Sequence, residues 1–177
     1  MLKKLLVSTC ICSAIFAQGY VKEANTISKD LLKTLGGNLK KQLKSGGATK
    51  ALKYCNKNAM KLTQEVSDKY KNATVKRISL KPRNPKNSPN EKEAQILQNM
   101  QSLHKLGAKP RNVVFEDENQ VVVYKPLIIK KRACIMCHGA KPKPQEAIKS
   151  LYPKDKATGY KMNDFRGAIV VTIKKDK

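Results

Sequence analysis

The sequence predicts an α+β fold in which N-terminal helices pack on an antiparallel sheet. Apolar residues recur every three or four positions between residues 27 and 66, which is the period of helices that cover a core. Later segments alternate apolar and polar side chains, or stay apolar between turn residues, as strands do. Helices therefore come first and most strands later.

Two amphipathic helices begin the fold. Leucine and isoleucine recur every four residues over 27–43, and a second apolar stripe with alternating spacings of four and three follows over 48–66. Gly36 and Gly37 weaken the first helix, and the Gly46-Gly47 pair ends it. Both stripes are expected to face one core.

A third helix is predicted after a proline-rich loop. Ser88 is the expected N-cap, Pro89 the first helical residue, and Glu91 the third position of a capping box. The helix is expected to run to Leu106, where Gly107 stops it. The loop before it is expected to lack regular structure because of three prolines: Pro82, Pro85 and Pro89.

Strands are predicted at four places. Residues 74–80 alternate in part, 113–115 and 121–129 form a β-hairpin around a polar turn, and 168–173 make a final strand. Residues 141–158 are rich in lysine and proline, with a short helix expected at 147–151.

The most informative motif is Cys134-Ile135-Met136-Cys137-His138, which has the Cys-x-x-Cys-His spacing of a c-type haem attachment site. Two thiols three residues apart can each bond one vinyl group of the same haem, and the next histidine can bind the iron. The chain has only two histidines and five cysteines, so this register is unlikely to be an accident.

Three other interpretations use the same cysteines. Cys55 and His104 could complete a Cys3His zinc site, although that leaves His138 without a role. A thioredoxin-like dithiol needs a βαβ context that the flanking residues lack. A structural disulfide would not need the histidine.

The N-terminus predicts export. Lys3 and Lys4 precede an apolar run, residues 5–17, that is too short to span a bilayer comfortably and fits a signal peptide cleaved after Ala17. The expected organisation is a signal peptide at 1–17 and a single domain at 18–177, located in the periplasm or otherwise outside the cytoplasm. An uncleaved anchor is the alternative, and membrane association is expected only in that case.

The net charge of +24 favours acidic protein partners or anionic membrane surfaces. A lysine-rich solvated surface is the simpler explanation, because the lysines are scattered. Aromatic residues do not interleave with them as a nucleic-acid-binding surface requires, so no nucleic-acid partner is expected.

Several segments together resemble a family of single-haem c-type proteins with a PAS-like fold, long catalogued as a domain of unknown function. The most specific is the run from Arg77 to Pro89, with Glu93 after it. The resemblance covers residues 25–174, and its weaker elements are Tyr124-Lys125-Pro126-Leu127, Cys134 to Gly139, and Phe165-Arg166-Gly167-Ala168-Ile169. One departure is Asn163, where the family usually has glycine.

The resemblance implies the second iron ligand. Cys55 matches the position of a cysteine that binds the iron opposite the histidine in a characterised member, so the implied ligand pair is His138 and Cys55. From the residues alone, Cys55 is a helical cysteine on an apolar stripe, suited to packing or to binding. The rival ligands are His104, Met100 and Met60.

These observations predict an exported cytochrome with one covalent haem c that acts in electron transfer or redox sensing. Thiolate ligation would favour the ferric state, and six-coordinate iron argues against an enzyme. Arg77 and Arg83 are expected either to pair with the haem propionates or to order the proline-rich loop. The alternative function is a haem-based small-gas sensor that acts through a partner protein.

Overall fold

The computed structural model describes the backbone of residues 11–175 and the side chains from residue 18 onward. It contains four helices and four strands in that part of the chain. In order these are α1 (Ile11–Ser67), β1 (Ala73–Ile78), α2 (Glu91–Lys105), β2 (Val113–Glu116), β3 (Gln120–Ile128), α3 (Arg132–His138), α4 (Gln145–Leu151) and β4 (Phe165–Lys174). A single 3-10 turn, Pro85–Asn87, lies in the proline-rich loop.

Helix α1 is two helices joined at a kink. The backbone leaves helical geometry at Gly46 and Gly47, and the φ of Gly47 is +69°, a left-handed value that glycine adopts without strain. The predicted break at this pair is confirmed. Gly36 and Gly37 stay helical, so their weak propensity only lowers the stability of that turn.

The four strands form one antiparallel sheet in the order β1-β4-β3-β2. The last strand therefore lies inside the sheet, where Val171 of β4 faces Val75 of β1 on one side and Val123 of β3 on the other. The predicted α+β class, helices on an antiparallel sheet, is confirmed. The predicted hairpin is β2 and β3, and the predicted final strand is β4.

Each face of the sheet has its own buried cluster. Ile27 and Leu31 of α1 pack on one face, against alternate residues of the strands such as Val171 and Ile173. Leu97 and Met100 of α2 pack on the other face, against residues of opposite register: Tyr124, Phe165, Ala168 and Val170. Burial of one such leucine contributes about 1.5–3 kcal/mol. The sheet is thus enclosed by α1 and α2.

The start of α2 differs from the prediction by two residues. Asn90, rather than Ser88, is the N-cap, and its side chain accepts from the Glu93 N–H at 2.9 Å while Glu93 accepts from the Asn90 N–H. Glu93 is buried and also pairs with Lys76 of β1 at 2.7 Å. That tertiary ion pair selects the later of two capping registers that the sequence allows.

Two backbone positions shape the start of β4. Gly167 has a φ of +146°, and a Cβ there would lie 2.2 Å from the Ile78 carbonyl oxygen. Asn163 has a φ of +69°, the conformation in which asparagine best replaces glycine. Asn163 thus forms the same turn as the glycine that the family usually has at this position.

Helix α3 was not predicted, whereas α4 extends the short helix expected at 147–151. The predicted signal peptide, with Cys10 and Cys12, lies outside the residues whose side chains are described. Within the described residues, no helix has the length and apolar character needed to cross a bilayer.

Candidate functional site

Helix α3 presents the Cys-x-x-Cys-His motif. The helix follows β3 and has only seven residues, so Cys134 and Cys137 lie one turn apart and on one side of it. His138 is its last residue. Both thiols are free and half-buried in the structure. The sequence-predicted cluster is thus assembled by one short helix.

The orientation of His138 is fixed by the segment that precedes β4. Its Nδ1 lies 2.7 Å from the carbonyl oxygen of Ala157, and since a carbonyl only accepts, Nδ1 carries the proton. The Tyr160 N–H donates to the His138 carbonyl at 2.9 Å, and the two rings meet edge to face at 6.2 Å. The unprotonated Nε2 of the neutral imidazole is then left for a metal.

The charge state of His138 suits metal binding. Burial, with the positive charges of Arg166 and Arg83, lowers the pKa of the imidazole to about 3. Because only the neutral form has a lone pair for a metal, His138 is ready to bind one across the physiological pH range.

Arg83 ties this segment to α3. Its guanidinium donates to both carboxylate oxygens of Asp155, at 3.2 and 3.1 Å, and to the carbonyl oxygens of Cys137 at 2.6 Å and Ala157 at 3.3 Å. Asp155 also accepts from the Ala157 N–H at 2.8 Å. Of the two expected roles of Arg83, ordering the proline-rich loop is the one that these contacts support.

Cys55 lies on α1, which contacts both α3 and α4. One residue on, the Asn56 amide donates to the Leu151 carbonyl at 3.2 Å and holds the end of α4 against α1. Burial raises the pKa of the Cys55 thiol; Arg77 lowers it and Cys137 raises it further. Cys55 is therefore close enough to the CxxCH helix for Cys137 to affect the pKa of its thiol.

The site has an excess of positive charge. Arg77 extends from β1 on the α1 side of the sheet, and its buried Nε has no hydrogen-bond partner among the described residues. Burial and the charge of Arg166 lower the pKa of Arg77, and burial likewise lowers that of Arg166. Among the described residues, Arg77 and Arg166 form no ion pair with a carboxylate, and Asp155 is paired with Arg83. An anionic group would compensate the excess charge.

Tyr160 lies beside two cations at the edge of the site. The Lys81 ammonium is 4.9 Å and the Arg166 guanidinium 5.2 Å from the ring centroid. Lys81 also donates to the Thr158 carbonyl at 2.6 Å, and Arg166 donates to Ser79 and to the Lys81 carbonyl. These contacts hold the segment before β4 against the end of β1.

The other candidate ligands are Met100 and His104 on α2 and Met60 on α1. Met100 is buried in the cluster between α2 and the sheet, and the His104 Nε2 donates to the Asn163 carbonyl at 2.6 Å. Met60 is half-buried on α1, five residues beyond Cys55. Cys55 and His104 are not brought together as the zinc interpretation requires, and the described residues contain no cluster of three metal-ligating side chains.

The sequence interpretation missed the residues that support the motif: Asp155, Ala157, Tyr160 and Arg166. Ala157 acts through its backbone oxygen, which no side-chain pattern reveals. Arg166 stood within a segment that carried the family resemblance, and it was not considered as a site residue.

Comparison with known proteins identifies the family. The sequence model of the Tll0287-like family, described as Tll0287, matches residues 14–174. The chain belongs to the Tll0287-like family. Among solved structures, the crystal structure of the cyanobacterial heme-protein Tll0287 matches with a TM-score of 0.67 and 24% identity, covering 90% of this chain and 97% of that one. No curated protein matches.

The resemblance drawn from the residues is thereby confirmed: the Tll0287-like family includes a haem protein with this fold. The match spans helix α1 through β4, so it includes Cys55, the CxxCH helix and the segment that holds His138.

Proposed function

We propose that this protein is an exported c-type cytochrome that binds one haem covalently and acts in electron transfer or redox sensing. The observation that carries the proposal is the pairing of His138 with Ala157. The motif helix ends in an imidazole whose Nδ1–H is held at 2.7 Å by a backbone carbonyl, which leaves Nε2 for iron. The match to a structure described as a heme-protein supports the same conclusion.

The residues present fit a haem group. Cys134 and Cys137 would form the two thioether bonds, and His138 would be the first axial ligand. The unpartnered Nε of Arg77 and the excess positive charge around it suit the two propionates. When bound, haem supplies one-electron redox chemistry.

Cys55 is the proposed second axial ligand. It lies on the helix that contacts α3, and the pKa of its thiol reflects the proximity of Cys137 and Arg77. Burial favours the neutral thiol, so ligation as thiolate would release a proton. A thiolate opposite His138 would favour ferric iron and lower the reduction potential. If His138 and Cys55 both hold the iron, no position would remain for a substrate, and the protein is therefore proposed not to be an enzyme.

A small-gas sensor is the second candidate. The observation that favours it is the partial burial of Cys55, which raises the pKa of the thiol and so stabilises the neutral form of a sulfur detached from iron. Cys55 would then leave on reduction and open a position for carbon monoxide or nitric oxide. A reduced protein that keeps two axial protein ligands supports electron transfer, whereas a reversible gas complex supports the sensor.

Location and partner follow from the N-terminus and the charge. We place the protein outside the cytoplasm, with membrane association only if residues 1–17 are retained. The redox partner is proposed to be an acidic protein, since this chain carries a net charge of +24. Association with such a partner should weaken steeply as ionic strength rises.

The test is a set of absorbance spectra from protein exported by a host that matures c-type haem. Haem that stays with the polypeptide after acid–acetone extraction would support covalent attachment, and Cys134→Ala with Cys137→Ala should abolish it. Cys55→Ala should change the ferric spectrum, while the matched variants Met60→Leu and Met100→Leu should not.

Two outcomes would contradict parts of the proposal. Covalent haem with a spectrum unaltered by Cys55→Ala would remove Cys55 from the iron and leave the rest standing. A chain that carries no haem after passage through a competent host would overturn the function itself.

A further inference from the structure

Strand β2 forms one edge of the sheet, and its outer side pairs with no strand in the described part of the chain. Two apolar side chains in the strand are partly in water: Val114 is 38% and Phe115 is 40% exposed. The opposite edge strand, β1, carries Lys76 and Arg77, whereas β2 contains no lysine, proline or bulge of the kind that keeps sheet edges from pairing. The β2 edge is therefore open to another strand.

The hairpin turn determines which backbone groups of β2 point outward. The Asp117 N–H donates to the Gln120 carbonyl at 3.0 Å, so these two residues form the hydrogen-bonded pair next to the turn. Hydrogen-bonded and non-hydrogen-bonded pairs alternate along an antiparallel ladder, and the other odd-numbered residues of β2 therefore also bond to β3. Val114 and Glu116 direct their N–H and C=O groups away from the sheet, where a second strand can bond to them.

The charges around β2 indicate which strand would fit. Three of the chain's 13 acidic residues are consecutive at 116–118. Lys175 pairs with Glu116 at 2.6 Å, whereas neither Asp117 nor the exposed Arg111 forms an ion pair among the described residues. A strand with a cation before it and an anion after it is complementary to a copy of itself that runs in the opposite direction.

One symmetric register satisfies both the backbone and the charges. Outward-pointing groups must face each other, which is achieved when Val114 lies opposite Val114 of a second copy. Arg111 then faces Asp117 of the second copy and Val113 faces Phe115, twice each by symmetry. A two-fold axis at Phe115 would instead set Val113 opposite Asp117, and an axis at Val113 would set Arg111 opposite Phe115. Neither of these alternatives pairs the charges.

We propose that two copies of this chain pair through β2, antiparallel and about a two-fold axis at Val114, so that two four-stranded sheets become one continuous sheet. The contact uses the same strand of both copies and leaves β1 at both ends, so assembly stops at the dimer. The proposal goes beyond the haem function and does not depend on it, because β2 contains no residue of the CxxCH site.

The test is sedimentation equilibrium of the protein purified with its native cofactor content, at concentrations from micromolar to millimolar. The wild type should reach the mass of two chains. Val114→Pro should abolish the dimer, because it removes an outward N–H, and proline is tolerated where the N–H of an edge strand faces solvent. Val114→Thr is the matched variant: it keeps the N–H and the branched Cβ, and it should dimerise like the wild type.

Charge variants test the register. Arg111→Gln and Asp117→Asn should each raise the dimer Kd about fivefold, because each removes two symmetry-related ion pairs. Asp117→Asn keeps the side-chain oxygen that accepts from the N–H groups of Asn119 and Gln120, so the turn should be preserved. Arg132→Gln removes the same charge from an exposed residue of α3 and should not weaken the dimer.

Disulfide trapping tests the position of the axis. With oxidised glutathione as the oxidant, Val114→Cys should cross-link two chains, since directly opposite residues of a hydrogen-bonded pair have Cα atoms about 5.5 Å apart, within the range of a disulfide. Leu106→Cys, on a residue that is 84% exposed and outside β2, is the control for random collision and should cross-link much less.

A dimer that Val114→Pro abolishes and both charge variants weaken would support the proposal. A monomer at every concentration, or a dimer that persists in folded Val114→Pro, would overturn it. A dimer indifferent to both charge variants would overturn the register. Circular dichroism shows whether each variant is folded, and the charge variants and the cross-link test the proposal even if Val114→Pro misfolds.

Discussion

Arg83 and Asp155 form a two-pronged ion pair whose side chains are only 11% and 6% exposed. The same guanidinium donates to the carbonyl oxygens of Cys137 and Ala157, and the latter oxygen also accepts from His138. One arginine of the proline-rich loop therefore connects the motif helix with the segment that orients its histidine.

Asp155→Ala should lower the free energy of unfolding by about 3–5 kcal/mol, because it leaves a buried guanidinium without its counter-charge. The measurement is urea denaturation of the protein purified with its native cofactor content. The altered support of His138 should also change the absorbance of the proposed haem.

Lys61→Ala is the matched control for a lost ion pair. Lys61 and Glu65 lie 3.9 Å apart on the surface of α1, and the side chains are 76% and 51% exposed. Its loss should cost about 0.5 kcal/mol or less. If Asp155→Ala were as mild as Lys61→Ala, the proposed bracing of the loop would be wrong.

The sequence predicted the parts of the site that act through side chains at fixed spacing. Cys134, Cys137 and His138 are adjacent in the chain, so their grouping needs no knowledge of the fold. The contact of His138 with Ala157 was not predictable, because it joins a ring to a backbone oxygen 19 residues away. That distance is closed by a loop whose path depends on Arg83 and Asp155.

In the fold, too, features set by local sequence were predictable and features set by contacts between elements were not. Periodicity located the strands and the break at Gly46 and Gly47, because local backbone preferences determine both. The start of α2 was predicted two residues early, since Ser88 and Asn90 each have a glutamate three positions later. Only the contact between Glu93 and Lys76, which joins two elements, decides between these registers.

Asn90→Ala should therefore destabilise the protein by about 1 kcal/mol, the usual cost of losing an N-cap side chain. Ser88→Ala should cost no more than about 0.5 kcal/mol, because its side chain caps no helix among the described residues. Thermal or urea unfolding of the two variants compares the registers directly. A larger effect at Ser88 than at Asn90 would mean that Ser88 is the N-cap, as the sequence predicted.

Arg77→Met should lower the reduction potential of the proposed haem. Arg77 contributes an incompletely paired positive charge within the site, and such a charge favours the ferrous state, which is the less positive of the two. The expected shift is about 40 mV, equivalent to about 1 kcal/mol for one electron. Spectroelectrochemical titration measures it.

Arg111→Met is the control for removal of an arginine charge. Arg111 is exposed and lies between α2 and β2, where water and salt screen its charge. The reduction potential of the Arg111→Met variant should match that of the wild type. An unchanged or raised potential in Arg77→Met would mean that Arg77 does not act on the redox group.

Gly167→Ala should be among the most damaging single substitutions in the sheet. The residue has a φ of +146°, and a methyl group there would lie 2.2 Å from the Ile78 carbonyl oxygen, where β4 pairs with β1. Relief of that overlap requires the two strands to separate, so the cost should exceed about 3 kcal/mol. Because Arg166 precedes it and Arg77 pairs with Ile169 two residues further along β4, the arginines of the site should shift as well.

Gly36→Ala provides a control of opposite sign. Gly36 lies within helical α1, and a Cβ there has nothing within 4 Å. Alanine should raise the free energy of unfolding by about 0.5–1 kcal/mol, because it restricts the unfolded chain and favours the helix. Urea denaturation of both variants measures the two effects on one scale. Equal, small effects at both positions would mean that β1 and β4 do not approach as closely at Gly167 as the structure places them.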